Sequence, residues 1–159
     1  TTWGKTLFTT FRGLTSTYSD FLASLFMFGN LINPLSGFIS DRTGRRRPFM
    51  MFGALSMLAG FLILAYSSKE LFLPVAIYLG LAGAFVPPLV FALPEEILGA
   101  GKGPLGFGVL GMFTNIGFAL GPTLVGITLD VSSSFTYSFF TLALFVAIAL
   151  VSLLQLRTR

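Results

Sequence analysis

Residues 37–47 read GFISDRTGRRR and place five charged side chains between two long uncharged runs. Twenty uncharged residues precede Asp41, and 21 follow Arg47. A helix needs about 20 predominantly apolar residues to cross the hydrocarbon core of a bilayer. The stretch therefore predicts a polar loop between two membrane-spanning helices.

The rest of the chain repeats this pattern, with further uncharged runs of 24, 27 and 26 residues. These runs are too long for strands of a membrane barrel, and they lack the polar–apolar alternation of such strands. The sequence predicts a five-span membrane domain over residues 20–157, with spans near 21–40, 48–68, 71–94, 103–129 and 135–156. Residues 1–19 are more polar and are predicted to form the end of a preceding helix and an extracytoplasmic loop.

The composition agrees with a membrane protein, because apolar residues make up 54% of the chain and charged residues only 10%. Soluble domains carry roughly 25% charged residues. The net charge of +4 is better explained by basic cytoplasmic loops than by nucleic-acid binding. The chain has no Cys or His, which excludes disulfides, thiol nucleophiles and Cys/His metal sites. We predict no metal site and no cofactor.

The basic residues also predict the orientation of the chain in a cell membrane. Three segments that must share one side hold seven of the ten basic residues: Arg42, Arg45, Arg46, Arg47, Lys102, Arg157 and Arg159. The arginine loop and the C-terminus are therefore expected to be cytoplasmic.

The loop resembles the cytoplasmic signature of the major facilitator superfamily, G-x-x-x-D-R-x-G-R-R. Every defining position matches: Gly37, Asp41, Arg42, Gly44, Arg45 and Arg46. The resemblance implies an all-α membrane protein, here with five transmembrane helices of a major-facilitator-type six-helix half-bundle. The bland alternative, a plain basic anchor, needs arginines but not the fixed Gly and Asp.

The resemblance also indicates which half of such a transporter this chain is similar to. Span three lacks the arginine usual in the N-terminal half, and the segment from Gly121-Pro122 to the basic tail resembles the end of the C-terminal half. The expected partners are the lipid bilayer, a missing N-terminal half and a small-molecule substrate.

In the family, an arginine of the signature commonly pairs with an acid at the end of the span two helices on. Here that position holds Glu95 and Glu96, so we expect an ion pair from Arg45 to one of them. It would act as a latch that steadies the state closed to the cytoplasm. The alternative is two solvated carboxylates at the membrane surface.

Polar residues inside spans are candidates for the substrate cavity, because they tend to face inward. These are Asn30, Asn33, Tyr78 and Asn115. The commoner use of such Asn residues is a hydrogen bond between helices. A second group is expected to kink or pack the helices: Pro34, Pro87, Pro88, Gly117, Gly121 and Pro122. The bend at Pro87-Pro88 is expected to be either a gate or a static kink.

The resemblance implies secondary active transport of a small solute by alternating access. The alternative is a small non-transporting membrane subunit that binds or assembles a partner membrane protein. An enzyme is not expected, because the one pair of carboxylates, Glu95 and Glu96, is adjacent in sequence and would diverge on a helix.

Overall fold

The computed structural model describes residues 15–99 and 101–155, and this part of the chain consists of helices and short connections without a strand. Seven α-helices follow in order: α1 (Ser16–Phe28), α2 (Asn33–Thr43), α3 (Arg46–Tyr66), α4 (Phe72–Gly83), α5 (Pro87–Leu98), α6 (Gly103–Ser132) and α7 (Phe135–Gln155). The predicted loop at 1–19 lies outside the described residues up to position 14, and Ser16 already begins α1.

Four helical stretches are long and apolar enough to cross a membrane. They are Arg46–Tyr66, Phe72–Leu98, Gly103–Ser132 and Thr136–Gln155. The all-α membrane fold expected from the sequence is therefore present, and five is an approximate count of its spans. The first predicted span is interrupted, so neither of its two helices is long enough alone.

The interruption of the first span is a 3₁₀ turn at Gly29–Leu31 between α1 and α2. Asn33 and Pro34 then occupy the first turn of α2. Proline is well tolerated there, because the first amides of a helix have no partner within it. The apolar run of the sequence is thus divided into helices of 13 and 11 residues.

A second interruption separates α4 from α5 in the third predicted span. Helix α4 ends at Gly83, and α5 begins with Pro87 and Pro88 in its first turn. The ring of proline clashes with the preceding turn, and its nitrogen has no hydrogen to donate. The two prolines therefore sit where a new helix starts.

Helices α3 and α7 pack against each other along their length. The Thr136 hydroxyl lies 3.4 Å from the Ala65 carbonyl at one end of this pair, and Arg47 reaches the Leu154 carbonyl at the other. The buried core lies where these helices meet α4 and α6. Its members are Leu64, Ala65, Phe72, Val75, Ala76, Leu79, Leu129 and Phe139.

Many large apolar side chains point away from this core, such as Val131, Phe118 and Leu105, which are 83%, 73% and 69% exposed. A water-soluble monomer avoids apolar surface on this scale. In a bilayer the same surface contacts lipid or other membrane-embedded protein.

Candidate functional site

The arginine loop begins where α2 ends. Gly44 caps this helix with a φ of +64° and donates its N–H to the Ser40 carbonyl at 3.0 Å. Glycine adopts this left-handed conformation without the steric penalty of a side chain. Arg45 follows with extended backbone angles, and Arg46 is the first residue of α3. The chain therefore reverses direction within two residues.

Arg46 joins three elements through two ion pairs. Its Nη2 lies 3.0 Å from Asp41 Oδ1 on α2, and its Nε lies 3.4 Å from Glu96 Oε2 on α5. The side chains of Arg46 and Glu96 are 23% and 28% exposed, whereas that of Asp41 is 64% exposed. The structure thus pairs Arg46 with Glu96, rather than the expected Arg45, which is exposed.

A polar cavity of about 420 Å³ opens beside these ion pairs. Among the described residues, two of its buried polar atoms lack a hydrogen-bond partner, Ser40 Oγ and Arg46 Nη1. A polar cavity of this size has room for water. Its lining residues are Ser40, Asp41, Gly44, Arg46, Ala92, Glu95 and Glu96.

Arg47 fastens the loop to the last described helix. Its Nη2 donates a hydrogen bond of 2.6 Å to the Leu154 carbonyl near the end of α7. The arginine loop, the end of α5 and the end of α7 therefore lie at one end of the bundle. Arg157 and Arg159 of the basic tail lie outside the described residues.

The two asparagines of the first span lie together at the break between α1 and α2. Asn33 Nδ2 donates to Asn30 Oδ1 at 3.3 Å. Asn33 Oδ1 is buried and has no partner within the described part of the chain. One turn further along α2, a Cβ on Gly37 would lie 4.0 Å from Pro88 Cβ.

Tyr78 and Asn115, the other two candidates for the substrate cavity, lie elsewhere in the bundle. The Tyr78 ring on α4 lies beside Gly60 of α3. Asn115 on α6 donates to the Gly111 carbonyl of its own helix at 2.9 Å. Over residues 15–99 and 101–155, no hydrogen bond joins either side chain to Asn30 or Asn33.

The two glycines of α6 that were expected to pack against another helix are not covered by the described residues. A Cβ on Gly117 or Gly121 would meet no described atom within 4 Å. Pro122 lies inside this helix. Within the described residues, no group of three or more His, Cys, Asp or Glu side chains could hold a metal ion.

Two further polar residues, which were not predicted from the sequence, lie on α2 near the arginine loop. Ser36 and Ser40 are 1% and 0% exposed on α2. Their spacing from each other and from Asn33 puts these polar residues near one helix face, a signal that the sequence already contains. The charge and proline patterns of the sequence indicate sites at the ends and breaks of the spans, and not these serines.

Comparison with known proteins agrees with this architecture. The sequence model of the Major Facilitator Superfamily matches residues 6–159. The "Lysosomal dipeptide transporter MFSD1" of Danio rerio is 30% identical over 129 residues. The match covers 78% of this chain and 27% of that relative, so the chain spans about a quarter of the relative's length. No solved structure matches the chain significantly. Because the family match takes in the arginine loop and every helix described above, the chain belongs to the Major Facilitator Superfamily of membrane transporters.

Proposed function

We propose that this chain is part of a permease that moves a small solute by secondary active transport, with alternating access to the two sides of the membrane. The observation that carries the proposal is the Arg46 network, which ties α2 and the start of α3 to the end of α5 across a polar cavity. Ion pairs that bridge separate helices at one end of a bundle are suited to holding that end closed. Breaking them lets the helices part there.

The orientation of the permease follows from its basic residues in this proposal. The end that carries the arginine loop faces the cytoplasm of a cell membrane. Arg47 and Leu154 support one part of this arrangement, because their hydrogen bond brings the loop and the end of α7 to the same side. The chain then supplies most of a C-terminal half, and an N-terminal half closes the substrate cavity between the two halves.

Dipeptides are the first substrates to test, because the zebrafish relative is named as a dipeptide transporter. A zwitterionic dipeptide needs hydrogen-bond partners and charges in the cavity. Asn30, Asn33, Tyr78 and Asn115 are the polar candidates that this chain offers. Opposite charges for the peptide termini would come from the other half, because no charged residue lies deep in these spans.

The test uses the native protein, purified from its source membranes with an antibody against residues 156–159. Its mass should be about three times 17.1 kDa, since 129 residues make up 27% of a full-length relative. In proteoliposomes it should show saturable counterflow of a labelled dipeptide. Counterflow of a sugar, an amino acid or an organic anion instead would keep the transport proposal and replace the substrate.

A different result would support the subunit alternative. A mass near 17.1 kDa, with no counterflow of any tested solute, would remove the transport proposal. A partner membrane protein that co-purifies in fixed ratio would then make assembly the function of the chain.

A further inference from the structure

The break between α4 and α5 leaves the buried carbonyl of Ala84 without its usual donor. In an α-helix, the carbonyl of Ala84 would accept a hydrogen bond from the N–H of residue 88. Residue 88 is proline and has no N–H. Ala84 is 1% exposed. A buried carbonyl without a partner is costly, above all at membrane depth.

The two carbonyls that precede Ala84 are satisfied locally. The N–H of Phe85 donates to Ala82 at 3.3 Å, and that of Val86 donates to Gly83 at 3.4 Å. These are tighter turns of the 3₁₀ type. Ala84 receives its hydrogen bond from outside its own segment.

The donor is a serine on α2, 48 positions away in sequence. Ser36 Oγ lies 2.8 Å from the Ala84 carbonyl oxygen, and this contact is buried. The same Oγ lies 2.9 Å from the carbonyl of Asn33 on its own helix. A hydroxyl has one hydrogen, so it donates to one of these two oxygens at a time.

We propose that Ser36 is a positioning residue of the transport cycle, a hydroxyl strap that replaces the hydrogen bond missing at Pro88 while α2 is docked on the break. When α2 and α5 separate, the hydroxyl keeps Asn33 as its acceptor, and water of the opened cavity hydrates Ala84. The strap therefore favours the docked state without leaving the serine unpaired in the other. This inference rests on the proposed alternating access.

The position of Ser36 on α2 couples this strap to the ion pairs. Asp41 lies five residues further along α2 and holds Arg46, which also holds Glu96 on α5. Between the two attachments, Gly37 brings α2 close to Pro88. Helix α2 is thus attached to the α4–α5 segment at two places, the Ser36 hydrogen bond and the ion pairs of Arg46. Loss of the Ser36 hydrogen bond should weaken the ion pairs.

A double-mutant cycle in the full permease tests the proposal. The reporter is Ala92→Cys in the cavity, labelled by a water-soluble maleimide, in a permease whose other cysteines have been replaced; this chain has none. Ser36→Ala should raise the labelling rate roughly tenfold, as expected when a buried carbonyl loses its partner. Ser36→Thr should restore the slow rate, because it retains the hydroxyl.

The informative background is Pro88→Ala, which returns an N–H to the position that the Ala84 carbonyl requires. In that background, Ser36→Ala should change the labelling rate by less than about twofold. The reason is that the backbone N–H of residue 88 can then donate to the Ala84 carbonyl in place of the serine hydroxyl. Ser152→Ala is the matched control. It removes an exposed hydroxyl that bonds only the Ile148 carbonyl of its own helix, and it should leave labelling unchanged.

Equal effects of Ser36→Ala in the two backgrounds would overturn the strap. So would a lower melting temperature of Ser36→Ala with unchanged labelling, which is the result of a purely structural hydrogen bond. The labelling cycle does not depend on a known substrate. A permease that shows the coupling but transports no tested solute would count against the proposed function, and it would retain the strap as a contact that limits the opening of the cavity.

Discussion

Arg46 holds two carboxylates whose surroundings differ. Asp41 is 64% exposed, so water weakens its attraction to the guanidinium, and such surface pairs contribute about 0.2–1 kcal/mol. The Glu96 side chain is 28% exposed and lies on another helix. The pair with Glu96 is therefore the one that controls the distance between the arginine loop and α5. Asp41 mainly orients the arginine from one side.

Replacing Glu96 should open the cavity, whereas replacing its neighbour should not. With the Ala92→Cys reporter, we expect Glu96→Gln to raise the labelling rate roughly fivefold, as the loss of about 1 kcal/mol predicts. Glu95→Gln removes the same charge from the same cavity, but Glu95 makes no ion pair in the described part of the chain. An equally raised labelling rate in the two variants would show that the charge of the cavity matters and the ion pair does not.

The choice of Arg46 over Arg45 depends on backbone geometry that the sequence does not contain. Counting uncharged runs places the loop and both glutamates at one end of the bundle. Arg45, however, precedes α3 with φ of −129° and ψ of 89°, while Arg46 is already helical. One residue of difference in where α3 begins decides which guanidinium faces α5.

At the scale of the helices, the first interruption lies where two glycines approach each other closely. A Cβ on Gly29 would collide with the Gly80 carbonyl, and one on Gly80 would lie 2.6 Å from the Leu25 carbonyl. Helices α1 and α4 therefore touch backbone to backbone, which only small residues permit. This contact fixes the break after α1 against the helix that precedes the second break.

Gly29→Ala should destabilise the protein, because backbone on both sides must move to admit the methyl group. Overpacking of this kind costs about 1–3 kcal/mol. Gly83→Ala is the matched control, since a Cβ there would meet no described atom within 4 Å. We expect a lower melting temperature in detergent for the first variant and an equal or slightly higher one for the second. Similar losses for both would show that the close approach is not what stabilises the break.

The first span shows where reasoning from hydropathy ends. A run of 20 uncharged residues predicts one helix, because hydropathy records composition and not contacts. The break lies where Gly29 approaches a residue 51 positions later. Pro34, which was expected to kink this span, lies in the first turn of the helix that follows the break. For the third span, Pro87 and Pro88 identified the place where a helix could bend, because proline acts on its own backbone. Local chemistry was readable in the sequence, and the long-range contact was not.

At the scale of the whole molecule, the helices differ in how much of their surface the chain covers. In the most apolar 18-residue stretch of α6, 6% of the residues are buried, whereas 33% are buried in the corresponding stretch of α3. Helix α6 packs on α5 and α7 and otherwise presents its sides outward. Those sides carry the open Gly117 and Gly121 as well as large exposed apolar residues such as Phe118 and Phe113.

The glycine face of α6 is expected to lie against the rest of the permease, because small residues gain close packing from another helix and little from lipid. A spin label at Gly121→Cys in the full protein should therefore show low access to both oxygen in the lipid and a water-soluble nickel chelate. Leu144→Cys on α7, at a side chain that is 59% exposed, is the control and should show high oxygen access. High oxygen access at both positions would mean that lipid covers the glycine face. High chelate access at Gly121 would place this face on the water-filled cavity, and in either case another surface of this chain would have to join the two halves.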